Sequence, residues 1–142
     1  MNNNPASLKG KLLILIVDDN MCFVERMIGL LEEVKNIGYI NVASDYDEAI
    51  RLLLSEPHDL VLLDINLPGK NGIELLKRIK SAPGTTKVMM MTNHAEEYYR
   101  VLCRELGADY FLDKSNDFAK VPGIVSHVGG GADTIVTSNN FM

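Results

Sequence analysis

Apolar residues follow two alternating patterns along the chain, short continuous runs and longer stretches with helical spacing. A continuous run of aliphatic residues is typical of a strand buried on both faces of a sheet. This pattern predicts five strands, the second of them short: Lys11–Val17, Ile40–Ala43, Leu60–Asp64, Lys87–Met91 and Tyr110–Leu112.

Stretches in which apolar residues recur at helical spacing separate these strands. They predict five helices: Met21–Lys35, Tyr46–Ser55 with Asp45 as an alternative first residue, Gly72–Lys80, Ala95–Leu106, and a last helix that begins near Val121. Pro122 and Gly123 interrupt that last stretch, so we expect its helix to be short or broken. Strands that alternate with helices predict an α/β domain whose parallel sheet is covered on both faces.

Polar segments flank this domain. Residues 1–10 predict a disordered arm, residues 11–128 the folded domain, and residues 129–142, which begin with three glycines, a flexible tail. The two cysteines form no C-x-x-C pair, and the first apolar run is too short to span a membrane. We therefore expect a cytoplasmic protein without membrane insertion. The net charge of −5 argues against direct nucleic-acid binding, because no positive excess exists to neutralise phosphates.

Polar side chains follow the predicted strands at the edge where a parallel sheet of this kind binds its ligands. Asp18 and Asp19 come after the first strand, Asp64 ends the third, Thr92 follows the fourth and Lys114 follows the fifth closely. Three carboxylates, one hydroxyl and one ammonium are therefore expected to meet at one edge of the sheet.

Three neighbouring carboxylates require a compensating cation. Two unit charges about 4 Å apart repel by roughly 4 kcal/mol at an effective dielectric constant of about 20. Oxygen donors favour Mg²⁺, and the lack of His or Cys at these positions argues against zinc. A bound Mg²⁺ normally keeps coordination positions open for phosphate oxygens, so we expect a magnesium site that accepts a phosphoryl group.

An aspartate can act as a nucleophile and form an acyl phosphate. With Mg²⁺ on one phosphoryl oxygen, Lys114 on a second and Thr92 on the third, the charges needed for transfer onto Asp64 are complete. A flavin-binding protein of the same class would need a phosphate-binding loop after the first strand, where Asp18 and Asp19 would repel an anion. The sequence also lacks a Walker loop and a G-x-G-x-x-G motif.

Four strings, each at the end of a predicted strand, resemble those of the response-regulator receiver family: VDDN, LLDINLPGKNG, MTN and GADYFLDKS. The resemblance covers about Lys11 to Val128. It implies a doubly wound, flavodoxin-like sheet of five parallel strands in the order 2-1-3-4-5. It also implies that Asp64 is the phosphorylated aspartate, and that Mg²⁺ is held by Asp18, Asp19 and Asp64 with the backbone carbonyl of Asn66.

The same resemblance assigns catalytic roles to Thr92 and Lys114 beside Asp64. It makes Thr92 and Phe111 the switch residues, with the Phe111 ring turning from an outward to an inward position after phosphorylation. Two positions depart from the family pattern. Asn93 stands where a small residue is usual, and Ser115 stands where proline is frequent.

The implied function is that of a phosphoacceptor receiver in a two-component or phosphorelay system. Its phosphoryl donor would be a histidine kinase or a histidine phosphotransfer protein, docked on the first helix near Met21 and Ile28, which helical spacing puts away from the core. We expect no output domain after Val128 and therefore a stand-alone receiver, monomeric or weakly dimeric, whose surface an unknown output protein reads.

Such a receiver is a signalling switch that catalyses its own phosphoryl transfer and a slow autodephosphorylation, rather than an enzyme acting on a separate substrate. Two alternatives stay open at this point. One is a pseudo-receiver that is never phosphorylated, against which the complete set of acids, Thr92 and Lys114 argues. The other is a small phosphatase with a D-x-N nucleophile, but there the nucleophile follows the first strand rather than the third.

Overall fold

A computed structural model describes residues 10–93 and 96–128 of the chain. The strands are β1 (Leu12–Val17), β2 (Ile37–Ala43), β3 (Leu60–Asp64), β4 (Lys87–Thr92) and β5 (Tyr110–Asp113). The helices are α1 (Met21–Leu31), α2 (Tyr46–Ser55), α3 (Gly72–Ser81), α4 (Glu97–Glu105) and α5 (Val121–Val128), and a 3₁₀ turn at Phe118–Lys120 precedes α5. All paired strands are parallel, in the order β2-β1-β3-β4-β5, which confirms the predicted fold class.

The sheet is buried on both faces, which explains why its central strands are continuously apolar. Leu15 and Val17 of β1 face one side and join a core cluster to which α2, α3 and α4 contribute. Ile14 and Ile16 face the other side and pack with residues of α1 and α5. The helices therefore cover both faces and leave the carboxyl edge of the strands accessible.

Two predicted boundaries were wrong at the connection between α1 and β2. The helix ends at Leu31 rather than Lys35, and the strand begins at Ile37 rather than Ile40. Pairing with β1 explains the longer strand, since Leu12 pairs with Ile37. The helical pattern continued past the true end because Val34 still packs against the core from the connection.

The last helix begins at Val121, as predicted, and is short. The predicted start of the fourth helix at Ala95 lies outside the described residues, as do residues 1–9 of the predicted arm and the tail at residues 129–142. Both cysteines are free, Cys22 exposed and Cys103 buried. Within the described ranges, none of the helices has the length and apolar character needed to cross a bilayer.

Candidate functional site

The polar residues that follow the strands meet at the carboxyl edge of the sheet, and all of them except the exposed Asp19 are buried. Asp18 is 2% exposed, Asp64 6%, Thr92 1% and Lys114 8%. Strand pairing aligns them, because Asp64 pairs with Met91 and Thr92 is the next residue of β4. Polar side chains this deeply buried need hydrogen-bond or ion-pair partners.

Three carboxylates form the acidic part of the site. Asp18, Asp19 and Asp64 each offer an oxygen, and these oxygens lie within 4.8 Å of one another. Backbone amides fix two of the carboxylates: the Asn20 N–H donates to Asp18 Oδ1 at 2.9 Å, and the Asn66 N–H donates to Asp64 Oδ1 at 3.1 Å. Both turns leave the second carboxylate oxygen directed to other partners.

Lys114 supplies the positive charge of the site. Its Nζ lies 2.7 Å from Asp18 Oδ2 and 3.4 Å from Asp64 Oδ2, so one ammonium bridges two carboxylates. The Lys114 backbone N–H donates to the Thr92 carbonyl at 2.8 Å, which ties the β5 end to β4. The ammonium also lies 4.4 Å from the centroid of the Phe23 ring, in the first turn of α1.

The electrostatic balance of the site favours a further cation. Burial raises the pKa of Asp64, and the neighbouring Asp18 raises it further, while Lys114 and the Asn66 amide act in the opposite direction. The cluster holds three carboxylates and one ammonium, so the ammonium does not fully compensate the carboxylates. The oxygen donors of Asp18, Asp19 and Asp64 form the kind of set that a hard cation such as Mg²⁺ prefers.

Gly72 allows the backbone after β3 to turn back against Asp64. A Cβ atom at this position would lie 2.2 Å from the Asp64 carbonyl oxygen and 2.9 Å from the Ile65 Cα. The Gly72 N–H donates to the Ile65 carbonyl at 2.8 Å, so the turn is closed by a hydrogen bond. The packing of α3 against the end of β3 therefore depends on the missing side chain.

The remaining predicted residues surround this centre. Asn66 is exposed and contacts Asp64 through its backbone N–H. Phe111 does not join the polar cluster, because it lies within the core on the α4 side, only 1% exposed, with the Arg100 guanidinium 4.9 Å from its ring centroid. The structure therefore has the inward of the two ring positions expected from the sequence. The Lys114–Ser115 peptide bond is trans.

Two contacts of the site were missed by sequence reasoning. Phe23 contacts the Lys114 ammonium from the first turn of α1, and the Arg100 guanidinium covers the Phe111 ring. The only signal for Phe23 was its place in the first helical turn after the acidic pair. That turn faces the carboxyl edge of the sheet, so a ring there reaches the site.

Comparison with known proteins agrees with this geometry. The family model of the response regulator receiver domain matches residues 14–126. The Fimbriae Z protein of Salmonella typhimurium is 32% identical over 83% of this chain and 56% of its own length. The transcriptional regulatory protein CpxR of Escherichia coli is 41% identical over 71% of this chain and 42% of its own length.

Among solved structures, a two-component response regulator of the LuxR family from Aurantimonas sp. SI85-9A1 superimposes with a TM-score of 0.78. It is 25% identical and is matched over 92% of this chain and 95% of that one. The chain spans about half the length of the curated relatives it matches. From its matched residues, its sheet order and its acidic edge, the chain belongs to the family of response regulator receiver domains.

Proposed function

We propose that Asp64 accepts a phosphoryl group and that the chain thereby acts as a switch in two-component or phosphorelay signalling. The observation that carries this proposal is the Lys114 ammonium bridging Asp18 and Asp64 at the edge of a three-carboxylate cluster. The charge that this ammonium offers to Asp64 is equally available to an oxygen of an incoming phosphoryl group. Receiver domains are signalling switches, and this site has the residues for that activity.

The transfer needs no proton from the protein. An oxygen of the Asp64 carboxylate attacks phosphorus, the bond from phosphorus to the donor nitrogen or oxygen breaks, and the leaving group keeps the electron pair. The Lys114 ammonium would change its partner from the Asp64 carboxylate to a phosphoryl oxygen, and the Thr92 hydroxyl would donate to a second phosphoryl oxygen. Hydrolysis of the acyl phosphate by water would return Asp64 to its first state, which is the expected slow autodephosphorylation.

Mg²⁺ is the proposed cofactor. Asp18, Asp19 and Asp64 would hold it, with the Asn66 carbonyl as the further protein ligand expected from the family resemblance. When bound, the ion supplies positive charge for the phosphoryl oxygens. The excess of three carboxylates over one ammonium supports this assignment, since a group of carboxylates that is short of positive charge gains most from a divalent cation.

The direct test is mass spectrometry of the intact protein after incubation with acetyl phosphate. We expect one added phosphoryl group in the presence of Mg²⁺, none with EDTA, and none in Asp64→Asn. Asp47→Asn is the matched control, because Asp47 is an exposed aspartate of α2 outside the site, and it should be labelled like the wild type. Equal labelling of Asp64→Asn would mean that another residue takes the phosphoryl group and would contradict the proposal, whereas no labelling of the wild type would favour the alternative of a pseudo-receiver.

The proposed donor is a phosphohistidine on a histidine kinase or a histidine phosphotransfer protein, docked on α1. The exposed Met21 supports this surface, since it is 45% exposed and lies two residues after Asp19. Ile28 does not belong to it: the expectation that it points away from the core was wrong, because it is half-buried against the α1 and α5 cluster. Met21 is therefore the residue to change.

Met21→Glu should slow transfer from a phosphohistidine donor and leave labelling by acetyl phosphate unchanged. Leu54→Glu is the matched control, because Leu54 is 74% exposed on α2, and it should change neither rate. A Met21→Glu protein that loses both reactions equally would show damage to the site rather than to a docking surface.

The mass of the protein in its source cells tests the prediction of a stand-alone receiver. Analytical ultracentrifugation tests the prediction of a monomer or weak dimer.

A further inference from the structure

The Lys114 ammonium has an aromatic neighbour in addition to its two carboxylates. Its Nζ lies 4.4 Å from the centroid of the Phe23 ring, inside the range of about 6 Å in which a cation is attracted by the face of a ring. Both partners are shielded from water, since Phe23 is 7% exposed and the Lys114 side chain 7%. The ring therefore occupies a side of the ammonium where water would otherwise bind.

The Phe23 ring is itself held in place. Phe118, in the 3₁₀ turn before α5, meets it edge to face, with centroids 5.8 Å apart and an interplanar angle of 66°. The Arg26 guanidinium covers the Phe118 ring at 4.7 Å from its centroid. This arrangement is favourable for aromatic pairs and for cations on rings, so it restricts the orientation of the Phe23 ring.

We propose that Phe23 is a positioning residue for phosphoryl transfer, which holds the Lys114 ammonium between Asp18 and Asp64. This inference rests on the proposed function of Asp64. A ring suits the task because it attracts a positive charge without taking an N–H in a strong hydrogen bond. The N–H groups of Lys114 thus stay directed to the two carboxylates, and they are available to a phosphoryl oxygen during transfer.

A carboxylate or carbonyl in place of the ring would compete for the same N–H groups, whereas an aliphatic side chain would fill the space without attracting the charge. Phe23→Leu should therefore slow labelling of Asp64 by acetyl phosphate by about three- to tenfold, as expected for losing one buried cation–ring contact. Phe23→Tyr keeps an electron-rich ring and should restore most of the rate. The comparison is made at saturating Mg²⁺, so that metal affinity does not enter.

Fluorinated phenylalanines at position 23 separate the charge of the ring from its shape. Fluorine atoms withdraw electron density from the ring face but change its volume little, so the rate should fall stepwise from phenylalanine through 4-fluoro to 3,4,5-trifluorophenylalanine. The matched control is the same series at position 98, where Tyr98 is an exposed aromatic residue of α4 outside the site. This control series should leave the rate unchanged.

A second readout does not depend on phosphorylation. In the protein without phosphodonor, the Lys114 side-chain protons next to Nζ should resonate upfield because of the Phe23 ring current, and Phe23→Leu should remove this shift. Equal rates across the position 23 series, or equal slowing by the position 98 series, would reduce Phe23 to a packing residue. If the wild type takes no phosphoryl group at all, the proposed function fails, whereas the Lys114 shift still tests the contact.

Discussion

Lys114 lies closer to Asp18 than to the proposed nucleophile, with its Nζ 2.7 Å from Asp18 Oδ2 and 3.4 Å from Asp64 Oδ2. The ammonium therefore neutralises a carboxylate that is also a proposed metal ligand. A cation that binds Asp18 has to share this carboxylate with Lys114. The same cation neutralises negative charge of the carboxylates that the Lys114 ammonium leaves uncompensated. Metal binding and the Lys114 ion pair are coupled through one side chain.

Lys114→Met should lower the free energy of unfolding by about 3–5 kcal/mol in EDTA, because it removes one partner of a buried ion pair. It should also tighten Mg²⁺ binding, since the ammonium no longer repels the ion or competes for Asp18. Chemical denaturation and titration calorimetry measure the two effects. Lys120→Met is the control: its pair with Asp117 is exposed on the lysine side, so we expect a change below about 1 kcal/mol.

Asp64→Asn should stabilise the metal-free protein at neutral pH. The folded-state pKa of Asp64 is raised above its ordinary value of 3.8, mainly by burial. Between these two pKa values the folded state binds more protons than the unfolded state, so stability falls as pH rises through this window and stays lower above it. The melting temperatures of the two proteins, measured in EDTA from pH 4 to 8, should differ more as pH rises, and that of Asp64→Asn should be the higher one. A lower melting temperature for Asp64→Asn at pH 7 would contradict this account of the site.

Gly72→Ala should destabilise the protein by about 1–3 kcal/mol or more, because its Cβ would lie 2.2 Å from the Asp64 carbonyl oxygen. The shift required of the β3 end should also slow phosphorylation of Asp64. Gly29→Ala is the matched control, since Gly29 lies in α1, where an added Cβ would meet no atom of another element within 4 Å. That change should stabilise the helix by about 0.5–1 kcal/mol. A Gly72→Ala protein as stable as the wild type would show that the loop relaxes easily.

We expect His58 to make the folded protein less stable at acid pH. Its side chain is 4% exposed, and its Nε2 lies 3.0 Å from the Asn41 amide nitrogen, which also donates to Glu56. Burial lowers the pKa of His58 below its ordinary 6.5, although Glu56 acts in the opposite direction. The unfolded state therefore binds more protons just below pH 6.5, and stability falls as pH decreases through that window.

His58→Leu should flatten the stability profile between pH 6.5 and the lower folded-state pKa, as measured by urea denaturation at closely spaced pH values. The exposed His127 gives a matched control, and His127→Leu should keep the acid-side loss of the wild type. If both variants keep it, another group causes the pH dependence.

The sequence predicted the parts of this protein that depend on local pattern. Continuous apolar runs located β1 and β3, and the polar residues after them located the site, because parallel strands bring their carboxyl ends to one edge. The predicted end of α1 was wrong because Val34 continues the apolar spacing beyond the last residue of the helix. The contact between Phe23 and Lys114 joins the start of α1 to the end of β5, and no local pattern records such a long-range distance.

The last prediction concerns how a phosphoryl group on Asp64 reaches the protein surface through Thr92. Thr92 ends β4 beside the site, and its carbonyl binds the Lys114 backbone. A hydrogen bond from its hydroxyl to a charged oxygen supplies about 1.5–3 kcal/mol, which shifts an equilibrium by about 10- to 150-fold. Thr92→Ala should accept a phosphoryl group more slowly, and it should lose most of the conformational response. Since Phe111 is already buried, we expect that response at its contact with Arg100 rather than as a large ring rotation.

NMR with a beryllofluoride phosphate mimic measures this response. In the wild type, the amides of Asn93, Glu97–Arg100 and Phe111 should shift when the mimic saturates Asp64, and in Thr92→Ala they should stay close to their starting positions. Thr86→Ala is the matched control, because the Thr86 hydroxyl donates to the His58 carbonyl at 2.8 Å, outside the acidic cluster, and it should respond like the wild type. Wild-type amides that do not move at saturation would exclude this route. A partner can read a signal from the α4 surface only if that surface changes. Without such a change, the function left for the phosphoryl group on Asp64 would be its transfer to another protein of a relay.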